Sequence, residues 1–175
     1  MRLIPLLVTL AGCGGATAES PLTVSLGGSH DATERALAAH QFCLETHSSV
    51  VASQQQKQIY PRCERAAAEH GDAWVVASYE GDRLVELRRY ERYGDDNRAI
   101  ERWNELVAAR MKIGAPSDEA LAELKTRGLV EPGTRSVKAF RGEGAASGPT
   151  VVGVYLLTPS APDNANVLEK ITYVK

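Results

Sequence analysis

The sequence predicts an α+β protein with a mainly antiparallel sheet. In the first third of the chain, apolar residues recur at helical spacing. Two β-rich stretches separated by a turn follow near residues 73–90. Two further helices and three strand-like stretches come after them. Strands that are grouped apart from helices along a chain are typical of α+β folds. The predicted order is therefore an N-terminal helical hairpin, a β-hairpin, two helices and three strands.

A helical hairpin is predicted for residues 31–71. Its first helix begins at Asp31, with Glu34 three residues later in the spacing of a capping box. The second helix covers residues 50–59 and restarts at Pro61, because proline suits the first turn of a helix.

The β-hairpin is predicted from residues 73–79 and 83–90, which flank a two-residue turn at Gly81-Asp82. A helix through Leu84 and Leu87 is the alternative, since both spacings fit. We favour the hairpin because residues 73–79 are rich in β-branched and aromatic side chains.

The next two helices have clear boundaries. The first follows a break at residues 94–97, and its apolar positions are Ile100, Trp103, Leu106, Val107 and Met111. The second begins after Ser117, which is placed to cap it, and ends near Gly128.

Three strands are expected over residues 136–141, 150–157 and 167–174. The middle strand is apolar on both faces, which predicts a central place in the sheet. The last strand alternates apolar and polar residues, which predicts one exposed face.

Composition indicates one ordinary globular domain. The 175 residues are 43% hydrophobic and 24% charged, and the formal net charge is −2. A nucleic-acid-binding protein would need a basic face, so this charge balance argues against nucleic acid as a partner.

Residues Leu10-Ala11-Gly12-Cys13 follow a short apolar segment with Arg2 ahead of it. This arrangement resembles the signal peptide and lipobox of bacterial lipoproteins. The resemblance implies removal of residues 1–12, acylation of Cys13 and attachment to a membrane of the cell envelope. Gly14 in place of an aspartate favours the outer membrane, with the protein facing the periplasm. Residues 13–30 are then expected to form a flexible tether, and residues 31–175 the domain.

Cys43 and Cys63 remain as a pair once Cys13 carries lipid. An oxidising compartment favours a disulfide between them. Two alternatives are free thiols and a metal site that combines both cysteines with His40 and His47. The disulfide is preferred, and no metal or cofactor is predicted.

Catalysis is disfavoured by the sequence. It contains no GxSxG or SxxK motif, and its four histidines lie in the predicted tether or helical hairpin, away from the sheet. No catalytic residue is assigned. The expected function is binding or scaffolding, and the alternative is an envelope hydrolase with an unfamiliar site.

One stretch of the β-hairpin offers a candidate binding surface for an anionic glycan, a lipid headgroup or an envelope protein. It interleaves tyrosines and arginines: Tyr79, Arg83, Arg88, Arg89, Tyr90, Arg92 and Tyr93. Asp82, Glu86 and Glu91 nearly balance the arginines, so a solvated strand face is the alternative interpretation.

Overall fold

The computed structural model describes residues 20–44, 49–52, 55–63, 72–142, 148–159 and 164–174. The helices in these ranges are α1 (His30–Ala39), α2 (Asp96–Met111) and α3 (Asp118–Thr126). The strands are β1 (Ser49–Ala52), β2 (Gln55–Pro61), β3 (Asp72–Glu80), β4 (Arg83–Arg92), β5 (Thr134–Arg141), β6 (Thr150–Leu157) and β7 (Val167–Tyr173).

All these strands form one antiparallel sheet in the order β1-β2-β3-β4-β7-β6-β5. Strands that are consecutive in sequence are neighbours, except at the centre, where β4 pairs with β7. The predicted α+β class with an antiparallel sheet is confirmed.

The helices cover the two faces of the sheet unequally. α1 and α2 pack on one face, called here the α1/α2 face, through a core that includes Leu37, Leu106 and Val75. α3 packs on the other face, called the α3 face, where Leu124 joins Tyr155 over β5 and β6. Among the helices of the described residues, none combines the length and apolar character needed to cross a bilayer.

Residues 50–52 and 55–61 form strands, so the second helix of the predicted hairpin is wrong. β1 pairs with β2, and β2 pairs along its whole length with β3. Val50-Val51 and Ile59-Tyr60 are β-branched and aromatic pairs that favour extended backbone, and the partner strand decides between the two spacings.

The predicted helix boundaries around this region also change. α1 begins at His30 with Ser29 as its cap, and it ends at Ala39. Pro61 ends β2 opposite Trp74 and does not restart a helix. Residues 64–71, where that helix was expected to continue, lie outside the described residues.

Residues 20–30 pack on the domain, which differs from the flexible tether predicted for residues 13–30. Leu22, Val24 and Leu26 are buried in the core of the α1/α2 face, although they form no strand. Their alternation with polar residues allows one side of an extended segment to lie on the sheet. The earlier part of the predicted tether, up to residue 19, is not described.

The buried face of α2 is rotated relative to the prediction. Its fully buried residues are Ala99, Arg102, Leu106 and Arg110. Trp103 is half-buried, and Met111, predicted to face inward, is exposed. Two arginines lie on the inner side because carboxylates of the sheet meet them there, as described below.

The positions of the last two strands differ from expectation. β6 is buried on both faces as predicted, yet it lies one strand from the edge. β7 is buried on both faces, so its predicted exposed face is wrong. Glu169 and Lys170, one on each face, are buried because both have partners of opposite charge.

Candidate functional site

The tyrosines and arginines of the predicted binding surface do not form one surface. Tyr79 and Arg89 lie on the α1/α2 face and are fully buried. Arg88, Tyr90 and Arg92 alternate with them along the ladder and lie on the α3 face. Strand geometry therefore divides a set that is continuous in sequence.

The remaining two residues lie at opposite ends of β4. Arg83 is exposed beside the β3–β4 turn. Tyr93 follows the strand and donates a hydrogen bond of 2.6 Å to Glu91 Oε2. Burial raises the pKa of the Tyr93 hydroxyl, and the neighbouring carboxylate raises it further. Tyr93 thus acts as a permanent donor to Glu91.

Five charged side chains form a buried ion cluster on the α1/α2 face: Arg89, Glu91, Arg102, Arg110 and Glu169. Arg89 Nη2 lies 2.8 Å from Glu169 Oε2, and Arg89 Nε lies 3.3 Å from Glu91 Oε1. From α2, Arg102 Nε donates to Glu91 at 2.8 Å and Arg110 Nε donates to Glu169 at 2.7 Å. The five side chains are at most 8% exposed, so the cluster joins β4, β7 and α2 inside the core.

The electrostatics of this cluster favour a structural role over a role in proton transfer. Burial pushes the pKa of Glu91 upward, but Arg89, Arg102 and Tyr93 outweigh it, and the pKa falls to about 2. A carboxyl group with that pKa stays ionised near neutral pH and is a poor general acid. Its role is to neutralise the arginines beside it.

A polar cleft of about 730 Å³ lies on the α3 face, and we call it the α3-face cleft. Its wall includes the cations Lys57 from β2, Arg88 from β4 and Arg127 from the end of α3, together with the carboxylates of Glu80 and Glu86. Arg88 donates to Glu86 at 2.7 Å. Lys57 and Arg127 are exposed, and neither has an ion-pair partner among the described residues.

The charges next to the cleft are already neutralised. Lys170 Nζ lies 2.6 Å from Glu131 Oε1 and 3.6 Å from Glu86 Oε2, and its side chain is buried. Arg88 Nη1 donates to Glu131 Oε2 at 3.3 Å. The two exposed cations of the wall, Lys57 and Arg127, therefore remain available to an anionic ligand.

Tyr155 adds a buried hydroxyl near these charges. Its Oη has no hydrogen-bond partner within the described residues. Burial raises the pKa of Tyr155, and Glu131 raises it further, while Arg88 opposes them. The ring lies against Gly153, where a Cβ would come within 2.7 Å of the hydroxyl oxygen, so only glycine fits beneath it. A buried hydroxyl without a protein partner can donate to an ordered water.

An aromatic stack continues the α3 face toward the other end of β4. Trp74 and Tyr90 stack with ring centroids 5.3 Å apart, and the Arg92 guanidinium lies 5.2 Å from the Trp74 ring. Arg92 also forms an ion pair of 2.8 Å with Asp72. Part of the predicted interleaving of arginine and tyrosine is therefore present on this face.

His30 lies against the sheet, contrary to the expectation that the histidines are remote from it. Its ring stacks on Tyr79 with centroids 3.8 Å apart, and its Nδ1 lies 2.7 Å from Asp82 Oδ1. The hydrogen bond from His30 lowers the pKa of Asp82. This pair fastens the start of α1 to the β3–β4 turn.

Cys43 and Cys63 form the predicted disulfide, with their Cα atoms 5.0 Å apart. It connects the segment after α1 to the end of β2, beside the bridge between Phe42 and Arg62. The disulfide excludes the alternative metal site that used both sulfurs, and His47 lies outside the described residues. No group of three or more metal-ligating side chains occurs in the part of the chain that is described.

Sequence reasoning missed the acidic partners Glu131 and Glu169 and the two buried arginines of α2. One signal was present: Arg102 and Arg110 stand four residues on either side of Leu106, and so share its helix face. Comparison of the chain with protein-family models, curated proteins and solved structures gave no match.

Proposed function

We propose that this chain is a lipid-anchored protein of the bacterial cell envelope whose domain binds an acidic glycan at the α3-face cleft. The anchor is acylated Cys13, and the protein faces the periplasm from the outer membrane. The binding is non-catalytic.

The sequence Leu10-Ala11-Gly12-Cys13 carries the anchor proposal. The disulfide supports it, because paired cysteines are typical of exported proteins and rare in the reducing cytosol. Cys13 is then the single cysteine that a lipid-transferring enzyme would find unpaired.

Metabolic labelling with a fatty-acid analogue tests the anchor. The wild-type chain should become labelled and fractionate with membranes. The Cys13→Ala variant should remain unlabelled and unprocessed, because the acceptor sulfur is missing. Equal labelling of the two chains would contradict the proposal.

The charge distribution of the cleft carries the proposal of an acidic ligand. The wall carries three cations, Lys57, Arg88 and Arg127, against two carboxylates, Glu80 and Glu86. Arg88 is already engaged by Glu86 and Glu131, and Lys57 and Arg127 are exposed. Spaced cations around a broad polar concavity suit a polymer with repeated carboxylates or phosphates better than a single buried anion.

Titration with an acidic polysaccharide, with neutral dextran as the comparison, tests the ligand class. The double variant Lys57→Gln/Arg127→Gln should bind roughly tenfold more weakly, a loss of about 1.4 kcal/mol. A matched control, Lys125→Gln/Lys138→Gln, removes the same charge from exposed positions outside the cleft lining. Equal weakening in both variants would show general charge attraction and contradict a site at the cleft.

A further inference from the structure

The chain segment that leads from Cys13 enters the domain at a fixed point beside α2. Arg89 Nη1 donates to the carbonyl oxygen of Ser20 at 3.1 Å, and Arg110 Nη2 donates to that of Leu22 at 2.6 Å. The Leu22 N–H donates to Glu169 Oε2 at 3.3 Å. The buried ion cluster therefore holds residues 20–22 in place.

The length of the intervening chain limits how far the domain stands from the anchor. Six residues separate Cys13 from Ser20, and a fully extended chain advances at most about 3.6 Å per residue, so the two Cα atoms are within about 25 Å. A domain of this size has a radius of gyration of about 15 Å. The surface around Ser20 is thus within one domain diameter of the acylated cysteine.

That surface includes the C-terminal end of α2. Ser20 and Pro21 line a groove of about 660 Å³ together with Lys112 and Ile113. The point where the anchor segment enters and the end of the helix are therefore neighbours.

The last residue of α2 and the five residues after it form an unusually apolar exposed stretch, residues 111–116, which we call the α2–α3 turn. All six residues are exposed, and Lys112 is the only charged one. Ile113 and Met111 are 60% and 56% exposed, more than any other large apolar side chain in the described ranges. An apolar surface of this kind is typical of contact with a membrane or a protein.

We propose that the α2–α3 turn rests on the bilayer beside the acylated Cys13. Ile113 and Met111 enter the interfacial zone, and Lys112 lies against anionic headgroups. The occupant is the lipid surface, because the short anchor segment brings it next to this turn. The inference rests on the lipid anchor proposed above.

Depth-dependent fluorescence quenching tests this contact in the lipidated full-length protein. An environment-sensitive dye is attached to Ile113→Cys, and the protein is incorporated into vesicles of phosphatidylethanolamine and phosphatidylglycerol that contain brominated lipid. The acylated Cys13 and the disulfide leave the new thiol as the reactive one. Emission should shift to the blue and lose at least about half its intensity.

The matched control is Asn97→Cys, an exposed position in the first turn of the same helix. It lies about 21 Å along the helix axis from the C-terminal end. The dye should show neither shift nor quenching there. Adding Met111→Asp and Lys112→Glu to the Ile113→Cys chain should reduce the quenching, while the fatty-acid label is retained.

The outcomes separate this inference from the anchor proposal. A lipidated chain with no quenching at position 113, or with equal quenching at 113 and 97, overturns the membrane contact alone. A blue shift of the dye at position 113 in native envelopes but not in pure vesicles would assign the α2–α3 turn to a protein partner. This result would also overturn the membrane contact. Absence of fatty acid on Cys13 overturns both proposals.

Discussion

Individual side chains of this protein carry charge into its core. The buried ion cluster places three guanidinium groups against two carboxylates on the α1/α2 face. Removing one partner from such a cluster leaves an uncompensated buried charge, which typically costs about 3–5 kcal/mol. The residues that matter most for stability are therefore charged as well as apolar.

Glu91→Gln should change the acid stability of the protein. The pKa of Glu91 is lowered from 4.5 to about 2, so its contribution to stability is present above pH 4.5 and is lost as the pH falls toward 2. The variant should be about 3–5 kcal/mol less stable at pH 7. Its free energy of unfolding should also fall less steeply between pH 4.5 and pH 2, because the carboxyl group that titrates in the wild type is absent. Urea unfolding across this pH range measures both effects.

Glu101→Gln is the control for that experiment. Glu101 forms an exposed ion pair with Arg98 on the same helix, and such pairs contribute within about 1 kcal/mol. An acid decline that is equally steep in the wild type and in Glu91→Gln would contradict the role given to Glu91.

Residue-level prediction from the sequence was accurate for the cysteines and incomplete for the charges. The Cys43–Cys63 bond followed from their number and from the expected compartment. The burial of Arg89 could not be deduced, because alternation along one strand does not reveal which face is covered. Glu169 and Lys170 lie in a strand that is buried on both faces, and only their partners across the fold explain their burial.

At the scale of the elements, the rotation of α2 has a measurable consequence. Trp103 is half-buried against the core, and its Nε1 donates to the Val154 carbonyl at 3.1 Å. Trp103→Ala should therefore destabilise the protein by about 3 kcal/mol. Met111→Ala removes an exposed side chain and should change stability by less than about 0.5 kcal/mol.

Thermal melts of these two variants test which side of the helix faces the sheet. If both variants lose the same amount of thermal stability, the helix face deduced from apolar periodicity is correct and the observed rotation of α2 is wrong. If neither variant loses thermal stability, α2 contributes little to the packing of the core.

Element prediction was accurate where caps and turns are explicit. Ser117 caps α3 by accepting a hydrogen bond from the Ala120 N–H, and Gly81 provides the positive φ of the β3–β4 turn. Element prediction was wrong over residues 50–52 and 55–61, where no local signal decides between helix and strand. Pairing of β1 with β2 and of β2 with β3 decides it. Non-local pairing is the information that a single sequence carries least clearly.

At the scale of the whole molecule, the fold class could be predicted and the strand order could not. The grouping of strands and helices indicated α+β with an antiparallel sheet. The central pairing of β4 with β7 joins residues about 80 positions apart, and nothing in either strand specifies its partner. The α3-face cleft also combines segments that are distant in sequence.

β7 comes last in sequence among the described strands, yet it lies between β4 and β6 in the sheet. Until residues 167–173 have been synthesised, both neighbours lack half of their hydrogen-bond partners, and Arg89 and Arg110 lack Glu169. A nascent chain without this strand exposes unpaired strand edges and uncompensated charge, which oppose stable folding. We therefore expect the domain to fold only after residues 167–173 have been synthesised, because this strand completes both the central pairing and the buried ion cluster.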